Sequence, residues 1–576
     1  MPTIAYFSME FAVDPRIPTY SGGLGILSGD TLRAATDLGL PMVGVTLLHR
    51  RGYFIQHLDD AGNQTESCAN WPPNQFLQAL PPRVMVTIEG RQVTIQTWRY
   101  LVSSESGNTV PLYFLDTALP DNSPEDRAIT DYLYGGDESY RLRQEAVLGL
   151  GGVAMLRALG HQAIRVYHMN EGHSALIALA LLEEHTWGRT LTPVSEQDRE
   201  AVRQRCVFTT HTPVPAGHDR FPVELVRRIL GNERTDCLIA ARCCSGGFLD
   251  MTQLALAFSR FVNGVSMRHE EVSQAILNSH HIDAITNGVH AGTWVSAPFA
   301  RIYDKHIPQW RRDNLYLRYA LRIPLDEIAQ AHAEAKQHLL CEVKRRTGVQ
   351  LDPGMLTIGF ARRIAAYKRP DLLFYDIERL RRVVSQSGHL QVIYAGKAHP
   401  RDEWGKQLVN RVFVAARELK DTIPIIYLED YDIELAKYLC SGVDVWLNTP
   451  QKPQEASGTS GMKAALNGVP SLSILDGWWI EGHIENVTGW SIGDCWQAGI
   501  GSEYDAASLY DKLEQVVIPT FYQQPQAFSH IMQSAIAQNG SYFNAQRMMT
   551  QYSQNAYLLW PSGRANNAPV HDPATA

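Results

Sequence analysis

The sequence has few cysteines, and they are not arranged in pairs. Eight cysteines are scattered over 576 residues, and only Cys237, Cys243 and Cys244 lie near one another. They lack the short paired spacings and partner histidines of a zinc site, and they do not form a disulfide framework. The sequence therefore favours reduced thiols in a reducing compartment and predicts no metal site.

Net charge and long apolar runs are also scarce. The formal net charge is -8, which is small for this length and argues against general nucleic-acid binding, because such binding needs a basic surface. Residues 1–14 have neither a basic start nor an apolar core, and no apolar run is long enough to span a bilayer. We therefore expect a cytoplasmic protein that binds neither nucleic acid nor membrane.

The chain does contain enough apolar residues for two cores. Its hydrophobic fraction is 45% and its charged fraction is 19%, as in ordinary globular proteins. Because single cores usually stop growing at about 250–300 residues, two large domains are expected. The oligomeric state is left open, with a homo-oligomer as one alternative.

Short apolar segments alternate with amphipathic stretches in both halves of the chain, which is typical of parallel sheets covered by helices. Ligands of such sheets bind beyond the carboxyl ends of the strands, so two such units predict a site in the cleft between them. The predicted strands are Ile4–Phe7, Met42–Val45, Ala163–Tyr167, Cys206–Thr209, Leu356–Ala361, Gln391–Tyr394, Ile423–Tyr427, Val443–Leu447 and Ser471–Leu475.

An apolar helical stripe from Ile328 to Val343 stops at Gly348 and marks the expected domain boundary. Another helix is expected at 542–559, near the end of the chain. The expected parts are an N-terminal α/β domain at 1–348, a second α/β domain at 349–535, a C-terminal helical segment at 536–561 and a disordered end at 562–576.

The stretch from Glu455 to Lys463, with the sequence EASGTSGMK, opens a short predicted helix. The free amides at a helix start, here at Gly458, Thr459 and Ser460, can receive a phosphate or sugar hydroxyls. A buried Lys463 one turn later is suited to forming a Schiff base, for which pyridoxal phosphate is the commonest partner. Taken alone, the stretch favours a capping turn whose lysine reaches solvent, because most such turns are structural.

Four cations follow the predicted strand that ends at Ala361, and they are Arg362, Arg363, Lys368 and Arg369. Arginine forks and a lysine charge together suit anionic oxygen atoms, and two phosphates could be held side by side. A solvated charge run and a polyanion-binding patch are the alternatives at this point.

Two weaker signals lie in the N-terminal half. A glycine turn at 20–25 precedes a predicted helix at 26–38 and can point amides at a ligand, although most such turns are structural and its spacing is not a dinucleotide motif. Polar, histidine-bearing segments at 168–173, 209–213 and 287–290 follow apolar runs, as expected for one cleft wall. A metal site and structural histidines are the alternatives, and the histidine spacing disfavours the metal.

Taken together, these segments resemble the α-glucan phosphorylase family, which includes glycogen, starch and maltodextrin phosphorylases. The resemblance covers most of the chain and rests on Ser8–Phe11, Ser21–Gly25, Arg141–Glu145, Asn170–His173, His211, Ile285–Gly288, Arg363–Arg369, Gly396–Ala398, Leu428–Tyr431 and Glu455–Lys463. It implies an α/β fold of two Rossmann-like domains facing a cleft, the glycosyltransferase B type, with the C-terminal helix crossing back to the N-terminal domain. It also implies retaining phosphorolysis of an α-1,4-glucan by inorganic phosphate, which releases α-glucose 1-phosphate.

The resemblance further implies roles for individual residues. The implied cofactor is pyridoxal 5'-phosphate, anchored through its aldehyde and used through its phosphate group. The residues implied to hold it are Lys463, Arg362, Thr459, Ser460 and Tyr431. The residues implied to bind the substrate phosphate are Arg363, Lys368 and, through its amide, Gly23. The residues implied to orient the sugar are Glu455, Ser457, Gly458, Asn287, His211 and His173, with Arg363, Lys368, His211 and Glu455 as the catalytic group.

The chain departs from the family pattern beside the cofactor residues. Arg362 stands where many relatives have lysine, Ala365 and Ala366 replace a His-Glu pair, and Ser460-Gly461 replaces Gly-Asn. A further departure is Trp478-Trp479, for which a sugar-stacking wall and core filling are both open. Because the chain begins almost at Ser8, we expect no N-terminal regulatory extension and no control by phosphorylation or AMP.

Two other functions share this fold. A nucleotide-sugar-dependent glucan synthase needs no pyridoxal phosphate, and the Gly-Met-Lys context of Lys463 disfavours it. An inactive glucan-binding homologue predicts damage at Arg363, Lys368 or Lys463, and all three are intact.

Overall fold

A computed structural model describes residues 3–191, 193–213, 218–277, 280–493 and 501–557, so the end at 562–576 lies outside the described residues. The strands are β1 Ile4–Phe7, β2 Met42–Leu47, β3 Ile55–Leu58, β4 Gln64–Ser67, β5 Gln78–Ile88, β6 Arg91–Ser103, β7 Thr109–Asp116, β8 Val166–Asn170, β9 Cys206–Thr209, β10 Arg220–Pro222, β11 Cys244–Ser245, β12 Phe248–Asp250, β13 Phe261–Gly264, β14 Asp283–Ala284, β15 Leu356–Ala361, β16 Leu390–Ala395, β17 Ile425–Leu428, β18 Val445–Asn448, β19 Ser471–Ile474 and β20 Gly489–Ile492.

Helices connect and cover the strands, and within the described ranges none of them is long and apolar enough to cross a membrane. They are α1 Gly23–Asp37, α2 Pro73–Phe76, α3 Pro124–Arg127, α4 Glu138–Ala146, α5 Gly152–Ala158, α6 Leu176–His185, α7 Glu196–Arg203, α8 Val223–Leu230, α9 Asn232–Ala240, α10 Met251–Ala257, α11 Met267–Ile276, α12 Ala291–Trp294, α13 Ala297–His306, α14 Leu325–Thr347, α15 Ile377–Ser387, α16 Glu403–Glu418, α17 Ile433–Gly442, α18 Thr459–Ala465, α19 Trp479–Gly482, α20 Ser502–Lys512, α21 Ile518–Gln523, α22 Pro525–Ser534 and α23 Ala545–Gln551.

The first sheet has nine strands in the order β14-β13-β9-β8-β1-β2-β7-β6-β5. The strands from β14 to β7 in this order are parallel, and β6 and β5 extend the sheet in antiparallel fashion. Strands β1 and β2 are buried along their whole length, which explains their unbroken apolar sequences. Strands β5 and β6 alternate between more and less exposed residues, so a search for apolar runs did not predict them.

The second sheet is parallel throughout, in the order β17-β16-β15-β18-β19-β20. All five strands predicted for this half are present, with ends shifted by at most two residues. The mixed α/β architecture with two large, mainly parallel sheets confirms the predicted fold class.

Other predicted elements also begin or end elsewhere, and β2 continues two residues past the predicted Val45. The strand predicted at 163–167 begins at Val166, because Val166 is the residue that aligns with Ile4 of β1. The helix predicted from residue 26 begins at Gly23. The helix predicted from 542 begins at Ala545, because the Asn544 side chain accepts a hydrogen bond from the Arg547 amide and caps the start.

The two sheets are tied together at several points. Helix α14 ends where predicted, at Gly348, which has the left-handed conformation with φ of 74°. The hairpin β3–β4 reaches from the first half to the second, where Gln56 donates to the Gly396 carbonyl and Gln64 to the Ala398 carbonyl. Helix α23, which continues as a π-helical turn to Tyr557, packs back against α1 of the first half.

Candidate active site

A cavity of about 730 Å³ lies at the carboxyl ends of strands from both sheets. Strands β8 and β9 contribute the residues that follow them from the first sheet, and β15 contributes those that follow it from the second. All fourteen site residues that the sequence analysis singled out line this cavity, and they are Gly23, His173, His211, Asn287, Arg362, Arg363, Lys368, Tyr431, Glu455, Ser457, Gly458, Thr459, Ser460 and Lys463. The roles of these residues stay predictions.

The carboxylate of Glu455 is the centre of a buried charge network. Its Oε2 accepts from Arg362 Nη2 at 2.7 Å and from Lys368 Nζ at 2.5 Å. Burial would raise the pKa of Glu455, but the charges and hydrogen bonds of Arg362 and Lys368 outweigh burial and lower it to about 2. Glu455 is therefore a fixed anion between two fixed cations. Arg362 is held further by Asn448, at 3.0 Å from Nη1, and its Nε is buried without a hydrogen-bond partner in the described chain.

Arg363 and Arg369, the other two of the four cations that follow β15, point in different directions. Arg363 opens into the cavity, where its one hydrogen bond to a described residue is a long one, 3.5 Å, to the Tyr367 hydroxyl. It pairs with no carboxylate of the described residues. Arg369 turns away from the cavity, pairs with Asp505 at 2.7 Å and donates to main-chain carbonyls, so it is structural. Three of the four predicted cations therefore face the cavity.

Lys463 is buried on α18, with 6% of its surface exposed, and its amine lies 4.2 Å from the centre of the Trp294 ring. Burial lowers the pKa of Lys463, although Cys440 and Asp30 oppose this effect. Its amine forms no ion pair within the described ranges. A buried amine with a lowered pKa and no counter-ion is suited to covalent attachment of an aldehyde.

Helix α18 begins at the cavity. Its N-cap, Gly458, has φ of 86°, a conformation that glycine adopts without strain. The first amides of α18, at Thr459 and Ser460, have no partner within the helix because of their position. The Ser460 hydroxyl accepts from Trp446 Nε1 at 3.0 Å, which fixes this turn against strand β18.

Two of the histidines that line the cavity, His173 and His211, are neutral and fixed in orientation. His173 Nε2 accepts from the Met9 amide at 2.9 Å, so Nδ1 carries the proton, and burial lowers the pKa of His173 to about 3. His211 Nε2 lies 2.6 Å from the Asn170 side-chain oxygen and therefore carries the proton. Burial places the pKa of His211 well below its ordinary value.

Two residues that line the cavity carry unsatisfied polar atoms. The Oδ1 atom of Asn287 and the Oγ atom of Ser457 are both buried without a hydrogen-bond partner among the described residues. Such atoms are rare in folded proteins and mark places where a ligand can supply the missing partner. Tyr431 adds a phenol that burial keeps protonated, because its pKa is raised well above the ordinary value.

Three further carboxylates, which the sequence did not single out, support the cavity. Glu10 accepts from the Ser21 and Gly22 amides and holds the turn before α1, which has Gly23 as its first residue. Glu171 has φ of 83° and accepts from the His211 amide at 2.8 Å. Asp476 accepts from the Glu455 amide at 2.9 Å. Glu10 and Glu171 lie inside segments of the family resemblance, whereas Asp476 had no signal.

Burial answers the question that the sequence leaves open for Trp478 and Trp479. Trp478 and Trp479 are almost fully buried and line no part of the cavity, so they fill the core. Among the described residues there is no group of three or more histidine, cysteine or acidic residues that could hold a metal ion.

Comparison with known proteins identifies the family of this chain. Residues 235–546, more than half of the chain, match the sequence model of the carbohydrate phosphorylases. A maltodextrin phosphorylase from Thermococcus litoralis is 38% identical, over 96% of this chain and 70% of its own length. Glycogen phosphorylases from Mycobacterium tuberculosis and Aquifex aeolicus are 36% and 35% identical, over 97% and 96% of this chain and 71% and 86% of their own lengths. The chain belongs to the carbohydrate phosphorylase family.

Proposed function

We propose that this protein catalyses the reversible phosphorolysis of α-1,4-glucans such as glycogen, starch or maltodextrin. In this reaction the bond between C1 and the leaving oxygen breaks, a phosphate oxygen bonds to C1 with retention, and the leaving oxygen takes up a proton. The observation that carries the proposal is the buried Lys463, which forms no ion pair with a described residue and lines a cavity that also holds Arg362, Arg363 and Lys368. The names of the relatives, maltodextrin and glycogen phosphorylase, support it.

The residues around Lys463 fit pyridoxal 5'-phosphate. The amine lacks a counter-ion in the described chain, as an aldehyde-binding lysine requires, and the Nε of Arg362 is a buried donor without a partner there. Lys463 would hold the aldehyde, and Arg362 with the amides of Thr459 and Ser460 would hold the phosphate group. When bound, the cofactor supplies a second phosphate group that can exchange a proton with the substrate phosphate.

The substrate phosphate is proposed to lie between Arg363, Lys368 and the amide of Gly23. Unlike Lys368, Arg363 pairs with no carboxylate of the described ranges. Its planar guanidinium can donate two hydrogen bonds to phosphate oxygens. Lys368 and Arg362 both pair with Glu455. The positive charges that would bind the phosphate are therefore already held in position before it arrives. Fixed cations of this kind stabilise charge without reorganising during the reaction.

The glucose ring is proposed to contact Glu455, Ser457, Gly458 and Asn287. Sugar hydroxyls would supply hydrogen-bond partners to Ser457 Oγ and Asn287 Oδ1. Without a ligand, these two oxygens are buried with no hydrogen bond to a described residue, which costs free energy. The main-chain carbonyl of His211 is proposed to face the anomeric centre, where its dipole can stabilise positive charge. Glu171 fixes that main chain through the hydrogen bond to the His211 amide. His173 completes the wall as a neutral hydrogen-bonding group.

The chain is proposed to divide into domains at residue 348, with the segment from 536 onward returning to the first domain. The break between the last strand of the first sheet, at Asp283–Ala284, and the first strand of the second, at Leu356, supports this division. The packing of α23 on α1 supports the return. We also propose a cytoplasmic location, in keeping with free thiols at all seven described cysteines.

The direct test is incubation of the cofactor-loaded protein with maltodextrin and phosphate, followed by measurement of glucose 1-phosphate. We expect product from the wild type and none from Lys463→Ala. Glucan extension from a nucleotide sugar, with no product from phosphate, would instead identify a glucan synthase. Binding of glucan without turnover in either assay would identify an inactive homologue.

A further inference from the structure

The carbonyl groups of the cavity loop at 286–287 are held by one residue near the C-terminal end of the described chain. Arg547, at the start of α23, donates through Nη1 to the Thr286 carbonyl at 2.6 Å and through Nη2 to the Asn287 carbonyl at 2.9 Å. These residues are separated by 261 and 260 positions in the sequence. The guanidinium therefore spans two consecutive carbonyls on the back of the cavity wall.

The side chain of Asn287 gives the loop no anchor of its own. Its Oδ1 is buried and forms no hydrogen bond within the described part of the chain. The position of Asn287 depends instead on its main chain, which donates to the Val265 carbonyl at 3.0 Å and accepts from Arg547. An unpartnered amide that lines the cavity can be aimed at a ligand only as accurately as its backbone is held.

The neighbouring residues bring the two segments into close contact. The Val289 amide donates to the Phe543 carbonyl at 3.1 Å, and the Ala545 amide donates to the Val289 carbonyl at 2.8 Å. Gly288 lies so close to Asn544 that a Cβ atom would sit 2.1 Å from the Asn544 oxygen. The loop and the C-terminal segment therefore pack backbone to backbone, and only glycine fits at position 288.

Arg547 is itself held in place, and no carboxylate of the described residues forms an ion pair with it. Its Nε donates to the Tyr542 carbonyl at 2.9 Å, and Nη1 also donates to Gln551 at 2.8 Å. It is absent from the ion pairs formed by the described residues. Its donors are thus directed mainly at carbonyl groups, and lysine, a single point of charge, cannot reproduce the planar two-carbonyl contact.

We propose that Arg547 is a positioning residue for sugar recognition, which holds the Asn287 side chain at the cavity by clamping the main chain of residues 286–287. This rests on the proposed function, in which Asn287 contacts the glucose ring, and the family resemblance implies that this contact lies near the primary hydroxyl. The C-terminal helix thereby completes the sugar site without touching the sugar.

The test compares two donors in the direction of glucan synthesis, α-glucose 1-phosphate and α-xylose 1-phosphate, which lacks the hydroxymethyl group. For Arg547→Lys we expect kcat/KM to fall at least 10-fold with glucose 1-phosphate and less than 3-fold with xylose 1-phosphate. The ratio of the two values does not depend on the fraction of folded enzyme, so partial unfolding cannot imitate the result. Arg547→Gln serves as a second variant.

A double-variant experiment identifies the residue through which Arg547 acts. In an Asn287→Ala background, Arg547→Lys should lower kcat/KM for glucose 1-phosphate less than 3-fold further, because the positioned group is already gone. The proposal would be overturned if Arg547→Lys lowered kcat/KM equally with both donors. It would also be overturned if Arg547→Lys lowered kcat/KM as much in the Asn287→Ala background as in the wild type, because Arg547 would then be merely structural.

Arg260→Lys is the matched control. Arg260 also binds the C-terminal segment, but its side chain donates to the carbonyls of Gln204 and Ala556 instead of those of residues 286–287. We expect kcat/KM to change less than 2-fold with either donor. A selective loss of kcat/KM with glucose 1-phosphate in this variant would also count against the proposal. Failure of the proposed function is distinct, since the wild type would then use neither donor.

Discussion

The carboxylate of Glu455 lies 2.5 Å from the ammonium group of Lys368. The same oxygen also receives Arg362, so two cations that the family resemblance assigns to two different phosphates share one anion. The charge balance of the cavity therefore depends on Glu455 as much as on the cations.

Glu455→Gln should separate the two roles of this carboxylate. We expect kcat/KM for phosphorolysis to fall about 100-fold or more, because the sugar loses a fixed acceptor. Removing one partner from a buried ion pair costs about 3–5 kcal/mol. Added phosphate should partly replace the lost negative charge beside Arg362 and Lys368. It should therefore raise the melting temperature of the variant more than that of the wild type.

The control for this measurement is Glu342→Gln, which removes a carboxylate that pairs with Arg345 and Arg346 outside the cavity. Its melting temperature should respond to phosphate as the wild type does. An identical phosphate response in Glu455→Gln and the wild type would contradict the proposed coupling.

Replacing Lys463 with methionine should abolish activity without weakening the fold. A buried cation without a counter-ion is costly, so cofactor-free Lys463→Met should melt at the same temperature as the cofactor-free wild type or higher. Lys336→Met is the contrasting variant, because Lys336 is equally buried but pairs with Asp444 at 2.6 Å. It should lower the free energy of unfolding by about 3–5 kcal/mol. A large loss of stability in Lys463→Met would refute the unpaired-amine interpretation.

Arg363→Gln should act mainly on phosphate. A charge-assisted hydrogen bond contributes about 1.5–3 kcal/mol, so we expect KM for phosphate to rise about 10-fold or more, with a smaller change in KM for the glucan. Steady-state kinetics with each substrate varied in turn measures both values. Arg220→Gln is the control, since Arg220 also lines the cavity but is paired with Asp250 at 3.6 Å. A larger effect on glucan than on phosphate would place Arg363 in the sugar site instead.

Asp476 should make stability depend on pH. Burial raises the pKa of Asp476 to about 6, partly opposed by hydrogen bonds from the Glu455 and Gly477 amides. Between about pH 4 and 6 the unfolded state therefore binds fewer protons than the folded state, and the free energy of unfolding falls as pH rises. Two pKa units correspond to about 3 kcal/mol.

The Asp476→Asn variant isolates this contribution, because it cannot ionise. Its unfolding free energy relative to the wild type should improve as pH is raised from 4 to 8, by up to about 3 kcal/mol. Denaturant titrations at both pH values measure the difference. A difference that is constant with pH would show that Asp476 keeps an ordinary pKa in the folded protein.

Much of the fold could be predicted because buried parallel strands have continuous apolar sequences. Strands such as β1, β9 and β15 were predicted to the residue, since both faces of each strand lie in the core. The half-exposed strands β5 and β6 were not predicted, because polar residues interrupt their apolar ones and leave no continuous apolar run. The start of α23 was missed because Asn544 caps it locally, against the apolar periodicity.

The amino-acid sequence alone was enough to predict the α/β class and the strand-end segments that carry polar residues. The spacing of those segments also carried the family resemblance. Tertiary structure alone decided how charge and hydrogen bonds are shared among them. Glu455 and Lys368 are 87 residues apart, and Arg547 and Asn287 are 260 apart, so no local pattern encodes their contacts. Burial, which only the folded chain creates, turns Lys463 from an ordinary surface-type lysine into an unpaired amine with a lowered pKa.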